Sequence, residues 1–167
     1  MIEEVKRNYL EIGSINDLKE VTQPSEDYSL DLLDPINFQL NKFFYKNIGK
    51  NHKWVDRLIW NEQQWIDYVS NEKIKTYVLK NKNDLVGFFE SIYHLEKKEV
   101  EIAYFGILEE YQNKKLGSFL LSEAIKRSFD GDIHRVWLHT CSLDHKNALN
   151  NYIARGMKIF KSEIVRI

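Results

Sequence analysis

Glu101-Ile102-Ala103-Tyr104-Phe105-Gly106-Ile107 is followed, after a short loop, by Gln112-Asn113-Lys114-Lys115-Leu116-Gly117. The first run is rich in β-branched and aromatic residues, which suit a pleated strand. The second opens a stretch in which Leu116, Phe119, Leu120, Ala124, Ile125 and Phe129 recur at helical spacing, with Gly131 placed to stop it. The spacing predicts a strand, a loop and a helix over about 115–129. The first N–H groups of a helix lack intrahelical partners and its dipole favours negative charge there, so this N-terminus is suited to an anion such as a pyrophosphate. Gly117 allows close backbone approach by a ligand or a strand, and Lys114 and Lys115 add positive charge. The plain alternative is an ordinary strand-loop-helix turn with solvated lysines, and local chemistry leaves both open.

Upstream, Ile74 to Lys80, Leu85 to Tyr93 and Val100 to Leu108 read as strands, with polar turns at Asn81-Lys82-Asn83 and Leu95 to Lys98. Three antiparallel strands are therefore expected in succession. Phe38, Leu40, Phe43, Phe44 and Ile48 predict a helix ending near Gly49, and Trp65, Ile66 and Val69 a second from about Asn61 to Ser70. Residues 13–35 are polar, contain Pro24 and Pro35, and read as a loop with a short helix. Downstream, Arg135 to Thr140 reads as a strand. Asp144 is placed to N-cap a helix carrying Ala148, Leu149, Tyr152 and Ile153 and ended by Gly156, and Met157 to Arg166 supplies a last strand. A helix between the third strand and Arg135 to Thr140 implies a crossover that leaves those two strands parallel. The expected fold is α/β or α+β: a mixed central sheet flanked by helices, as a single domain over 1–167.

Composition agrees with a globular chain: of 167 residues, 43% are hydrophobic and 13% aromatic, with only 7 Gly and 2 Pro. The net charge of -1 with scattered basic residues gives no footprint for nucleic acid. Apolar runs fall short of the ~20 residues a membrane span needs, so no membrane partner is expected. The single Cys141 excludes an internal disulfide, and the acidic start Met1-Ile2-Glu3-Glu4 has no apolar leader core. A cytoplasmic location is the expectation.

The 112–117 segment resembles the GNAT superfamily of acyl-CoA-dependent N-acetyltransferases, whose hallmark here is Gln/Arg-x-x-Gly-x-Gly/Ala. Gln112 and Gly117 match, and Lys115 stands where the first glycine is usual. Glu101-Ile102 and Ile107 are similar to the family's fourth strand, where some members carry a catalytic glutamate. Asn147, Tyr152 and Gly156 match the spacing of its last helix, with Met157 in place of a Phe. The resemblance covers about 74–162. It implies a GNAT fold and transfer of an acetyl group from acetyl-CoA to a primary amine of a small molecule or peptide, with no metal. Homodimers are common in that family, although no residue of this chain demands one.

The resemblance also implies roles. Phe105, Gly106 and Ile107 would present main-chain groups to the pantetheine arm, Gln112, Asn113, Lys114, Lys115, Leu116, Gly117 and Ser118 would surround the pyrophosphate, and Asn147 would bond the pantetheine. Tyr152, a phenol protonated at neutral pH, would give its proton to the departing thiolate. The alternative is a ring that only packs on the sheet. Glu101 is the candidate base for the amine, and strand alternation sets it on one face with Ala103, Phe105 and Ile107. Glu90, on the neighbouring strand, is expected opposite or one step diagonal to Glu101. Both glutamates could equally lie on an exposed face. A non-catalytic acyl-CoA-binding or regulatory module of the same fold is the second functional reading.

Two further clusters stand out. His139-Thr140-Cys141-Ser142-Leu143-Asp144-His145 gathers nucleophile, base and ligand types, yet completes neither a thiol-hydrolase constellation nor a four-ligand zinc set. Within a GNAT cleft this loop would border the acetyl group, so Cys141 and Asp144 become candidate substrate contacts. Trp54-Val55-Asp56-Arg57-Leu58-Ile59-Trp60 lies where an acceptor pocket is expected. Arg57 could hold a carboxylate and Trp54 face a cationic amine; the other reading is an aromatic anchor with Asp56 and Arg57 as a surface pair.

Overall fold

Among the described residues seven strands form one sheet, in the order β2-β3-β4-β5-β6-β1-β7. In the computed structural model, which describes residues 2–166, the chain runs β1 Glu4–Ile12, β2 Tyr28–Leu32, α1 Phe38–Gly49, α2 Glu62–Val69, β3 Ile74–Asn81, β4 Asp84–His94, β5 Glu99–Ile107, α3 Leu116–Ser128, β6 Arg135–Cys141, α4 Ala148–Ala154 and β7 Lys158–Arg166. Met1 and Ile167 lie outside the described residues. The helices and the strands from β3 onward fall where the sequence periods put them. β3, β4 and β5 pair antiparallel, and β5 pairs parallel with β6 across the α3 crossover.

Two strands were not foreseen. β2 lies within the polar 13–35 segment, where it adds an edge to β3 with Leu30 buried; the short helix there is a 3-10 turn at Ile15–Asp17. β1 inserts between β6 and β7, antiparallel to both, with Val5, Leu10 and Ile12 buried. Its polar residues concealed it: Arg7 lines a cleft, and Glu4, Asn8 and Glu11 pair across strands with Arg166, Ser162 and Arg135.

The sheet carries a core on each face. On one, α3, through Leu120 and Ile125, and α4 cover Leu79, Phe89, Ile102 and Leu138, with Met157 in the same core. On the other, α1 covers Val78 and Phe88, with Phe44 stacked on Phe88 at 4.9 Å between ring centroids. Burial on this scale, at roughly 25 cal/mol per Å² of apolar surface, holds the helices to the sheet. Gly106 is bare because α1 runs so close that a Cβ there would meet Ile48 Cγ2 at 2.6 Å. Gly156 ends α4 at φ +106°, and an added Cβ would strike the Asp17 carbonyl oxygen at 2.2 Å, so both backbone shape and space require glycine.

The start of α4 differs from expectation. Asp144 does not cap it. Its carboxylate accepts from the Thr140 hydroxyl and, at 3.0 Å, from the Cys141 N–H, which folds the β6–α4 loop back on the strand end, and the helix begins after Asn147.

Candidate active site

β5 and β6 pair only from Glu99, Val100 and Glu101 to Arg135, Val136 and Trp137; beyond Glu101 and Trp137 the strands part. The open seam leaves main-chain groups of β5 on that edge without a ladder partner, which calls for water or a ligand. It widens into a cleft of about 1270 Å³.

At one end lies the α3 N-terminus. Lys115, at its N-cap position, makes no side-chain cap and sits at φ 62°, in the left-handed region, as does Asn113 at φ 63°. The positive φ gives a physical reason why glycine suits this position in the resembled motif; Lys115 adopts it at a cost of order 1 kcal/mol. The first N–H groups of α3 thus remain available to an anion, as the sequence suggests. Gly117 faces the gap between α3 and α4: the nearest atom to an added Cβ would be Asn151 Nδ2 at 3.9 Å, so no strand packs there and the space suits a ligand. Asn113, Lys115, Ser118 and Asn147 also line the cleft, together with Phe105, Gly106, Ile107 and the otherwise buried Leu116. Gln112 lines it too, but its side chain braces the loop by donating to the Ile107 carbonyl at 3.3 Å. Lys114 is not brought to the cleft; its ammonium lies 5.4 Å from the Tyr111 ring centroid.

Tyr152 and Glu101 line this cleft from opposite faces of the sheet. Tyr152 belongs to the α3/α4 core, is 7% exposed and meets Phe105 edge to face at 6.4 Å. Burial, with a contribution from the Asp144 charge, raises its phenol well above the ordinary tyrosine range, so it is a proton donor at any physiological pH.

Glu101 is not in the apolar company that simple alternation gives it. Glu90 pairs with Tyr104 and Ser91 with Ile102, which leaves Ala103 as a bulge. One extra residue reverses the facing of everything before it. Glu101 therefore shares the α1 face with Tyr104 and Gly106, at the vertex where the strands part, and its Oε1 lies 3.2 Å from His94 Nε2. His139 stands across the seam, and burial first, then the Arg7 charge, lowers its pKa, which favours neutral imidazole.

Glu101 opposes Ile92, so Glu90 stands one step diagonal to it along β4, as expected, and the bulge sets Tyr104 opposite Glu90. Glu90 does not line the cleft; it is 0% exposed, accepts from Asn41 Nδ2 at 2.8 Å and pairs with Arg57 Nη1 at 3.0 Å. Arg57 touches the cleft, yet it is 5% exposed, with Tyr68 and Tyr104 ring centroids 4.1 and 4.2 Å from its guanidinium carbon. Neither the carboxylate-binding role nor the surface pair with Asp56 fits this geometry. The guanidinium is engaged inside the protein and anchors the α1–α2 loop.

That loop arches over the cleft. His52 Nδ1 is 3.2 Å from the Leu143 carbonyl oxygen beyond β6, and Lys53 pairs with Glu3 before β1. Trp54 and Asp56 line the underside, and Trp54 packs edge-on against Tyr104 at 5.0 Å. Gly49 is what lets Trp54 tuck beneath the end of α1, since an added Cβ would meet its Cβ at 2.5 Å. The opposite wall is formed by Val5, Arg7, His139 and Cys141, whose thiol is pushed up by burial. Arg7 was not singled out from sequence, because it belongs to the unforeseen β1; His139 stood in the 139–145 cluster without an assigned role.

Among the described residues no helix is long and apolar enough to cross a membrane, and no group of three or more His, Cys, Asp or Glu is arranged to hold a metal ion. No curated protein matches the sequence significantly. Solved structures share the fold at low identity. A GCN5-related N-acetyltransferase from Sphaerobacter thermophilus has a TM-score of 0.73 at 13% identity, covering 97% of this chain and 50% of that one. A functionally unknown conserved protein from Staphylococcus epidermidis has a TM-score of 0.67 at 17% identity, covering 98% and 61%. An aminoglycoside acetyltransferase from an uncultured soil metagenomic sample, in complex with sisomicin, has a TM-score of 0.64 at 14% identity, covering 77% and 87%. The chain thus spans about half to three fifths of the length of the first two. The profile of the acetyltransferase (GNAT) family matches residues 37–157, from α1 through the end of α4, and with it this chain belongs to the GNAT acetyltransferase family.

Proposed function

We propose that residues 1–167 act as one acetyltransferase domain that moves an acetyl group from acetyl-CoA to a primary amine of a small molecule or peptide. The observation that carries this reading is the parted β5–β6 seam, with a buried phenol on one face and a carboxylate on the other. The unpaired N–H groups of α3 and the open space at Gly117 fit a pyrophosphate, and the free edge of β5 fits an amide-bearing arm. Acetyl-CoA supplies the activated acyl thioester.

The acceptor amine enters beneath the arch on the α1 face. Glu101 takes one proton from the arriving ammonium, which frees the nitrogen lone pair to form the new C–N bond. The second N–H proton leaves to solvent as the C–S bond breaks, and Tyr152 recovers from solvent the proton it gives to sulfur. Unpaired N–H groups of β5 stabilise the charge that develops on the acyl oxygen. Tyr152 protonates the sulfur as the C–S bond breaks, on the face away from the amine. Acid and base on opposite faces keep the two proton transfers from interfering.

Calorimetric titration with acetyl-CoA, with desulfo-CoA and ATP as controls, tests the cofactor. Micromolar affinity for acetyl-CoA, followed by thiol release with an amine library, is the expected result. Binding without release on any amine would turn the reading into a non-catalytic acyl-CoA-binding module.

A further inference from the structure

The geometry points to an acceptor that carries a carboxylate as well as its amine, with Arg7 as the residue that selects it. This rests on the acetyltransferase reading and concerns the acceptor half of the same cleft.

Most charges around that half are already matched. Lys53 pairs with Glu3, Arg166 with Glu4 and Arg57 with Glu90; Glu101 faces His94, and Asp144 is held by Thr140 and Cys141. Arg7 is the exception among the cations of the wall. β1 pairs it with Cys141 on β6 and Glu163 on β7, and its side chain, 31% exposed, lines the cleft. Its Nη1 makes one long contact, 3.5 Å to the Tyr9 hydroxyl. The nearest carboxylate oxygen, Glu163 Oε1, is 3.9 Å away and already accepts from Tyr9 at 2.6 Å, while Lys161 lies 3.6 Å from the other oxygen. Its Nε is shut off from solvent and has no partner.

A guanidinium with most of its donors free matches a carboxylate, which it can hold by two parallel bonds. On the facing wall, Glu101 attracts the ammonium group of the same molecule. A polycation would meet Glu101 and Asp56 on the facing side, but Arg7 repels it from the wall it must lie along. The acceptor class is therefore an amino acid or a similar amino-carboxylate, rather than a polyamine or an aminoglycoside.

The test uses L-amino acids, β-alanine and 4-aminobutyrate against their carboxamides, with spermidine and sisomicin as polycations. Thiol release is followed by kcat/KM, and the same compounds are titrated calorimetrically without acetyl-CoA. In the unaltered protein the best carboxylate is expected to exceed its amide about ten- to a hundredfold, as a charged hydrogen-bonded pair does. In Arg7→Gln that ratio should fall toward one. Equal use of acid and amide by the unaltered protein, preference for the polycations, or a preference that survives Arg7→Gln would each overturn the inference, whether or not the variant folds well. Absence of acetyl-CoA binding would instead remove the transferase reading, with the cofactor-free titrations still reporting on Arg7.

Discussion

On the proposed reading, the two halves of the cleft would recognise their ligands by different means. The cofactor half is built from main chain: the first turn of α3, the Asn113–Lys115 loop and the free edge of β5, all within about 105–118. The acceptor half is built from side chains brought together from β1, the α1–α2 loop, β5 and β6. Main-chain recognition needs only a backbone path, so it tolerates an unusual residue such as Lys115. Side-chain recognition depends on every anchor that holds its walls, and the deepest of these is Arg57 with Glu90.

The comparison breaks most readily at that anchor. Glu90→Gln leaves a caged guanidinium without its counter-charge, and removing one partner of a buried pair typically costs ~3–5 kcal/mol. Urea unfolding should show that loss, whereas acetyl-CoA affinity of the folded fraction should change little. Equal damage to both halves would mean that they are not separable.

Next in size is Tyr152→Phe, which is expected to keep acetyl-CoA binding and lower kcat about 10²-fold, the low end of general-acid contributions. Unchanged kcat would remove Tyr152 from the chemistry. Its high pKa also means that no alkaline limb of the rate should be traceable to Tyr152 below about pH 10.

Alkali distinguishes the halves through stability. Burial raises the phenols of Tyr93 and Tyr104 to about 12 and lifts Tyr68 further. A group whose folded pKa is raised lends stability that is complete below its unfolded pKa and disappears as pH passes through the folded one. Between about pH 10 and pH 12 the protein should lose up to about 2 kcal/mol for each of these phenols, less where solvent screens them, measured by denaturant titration at each pH. Tyr104→Phe should reduce that slope. Because Tyr68 and Tyr104 flank Arg57, the acceptor half should loosen first.

The smallest expected effect is Lys115→Gly. Relief of a left-handed backbone should stabilise the fold by roughly 1 kcal/mol, raising the melting temperature by a few degrees. Acetyl-CoA affinity should hold or improve, and a marked loss would show that the Lys115 side chain itself binds the ligand.

The sequence by itself determined the helices, the β3–β4–β5 meander, the parallel crossover and the anion-suited α3 N-terminus, because each depends on periodicity or spacing within some twenty residues. The resemblance carried by its motifs also grouped Asn113, Lys115, Gly117, Asn147 and Tyr152, and all five line one cleft. Only the tertiary structure decided the rest. The bulge at Ala103 leaves no mark in composition, yet it turned Glu101 to the α1 face, and the pairing of Glu90 with Arg57 joins segments thirty-three residues apart. The insertion of β1 between β6 and β7 brought Arg7 to the cleft wall from more than a hundred residues away. Pairing register and strand insertion are properties of two or more segments at once, fixed by which cross-strand hydrogen bonds and buried faces can be satisfied together, and no local pattern encodes them.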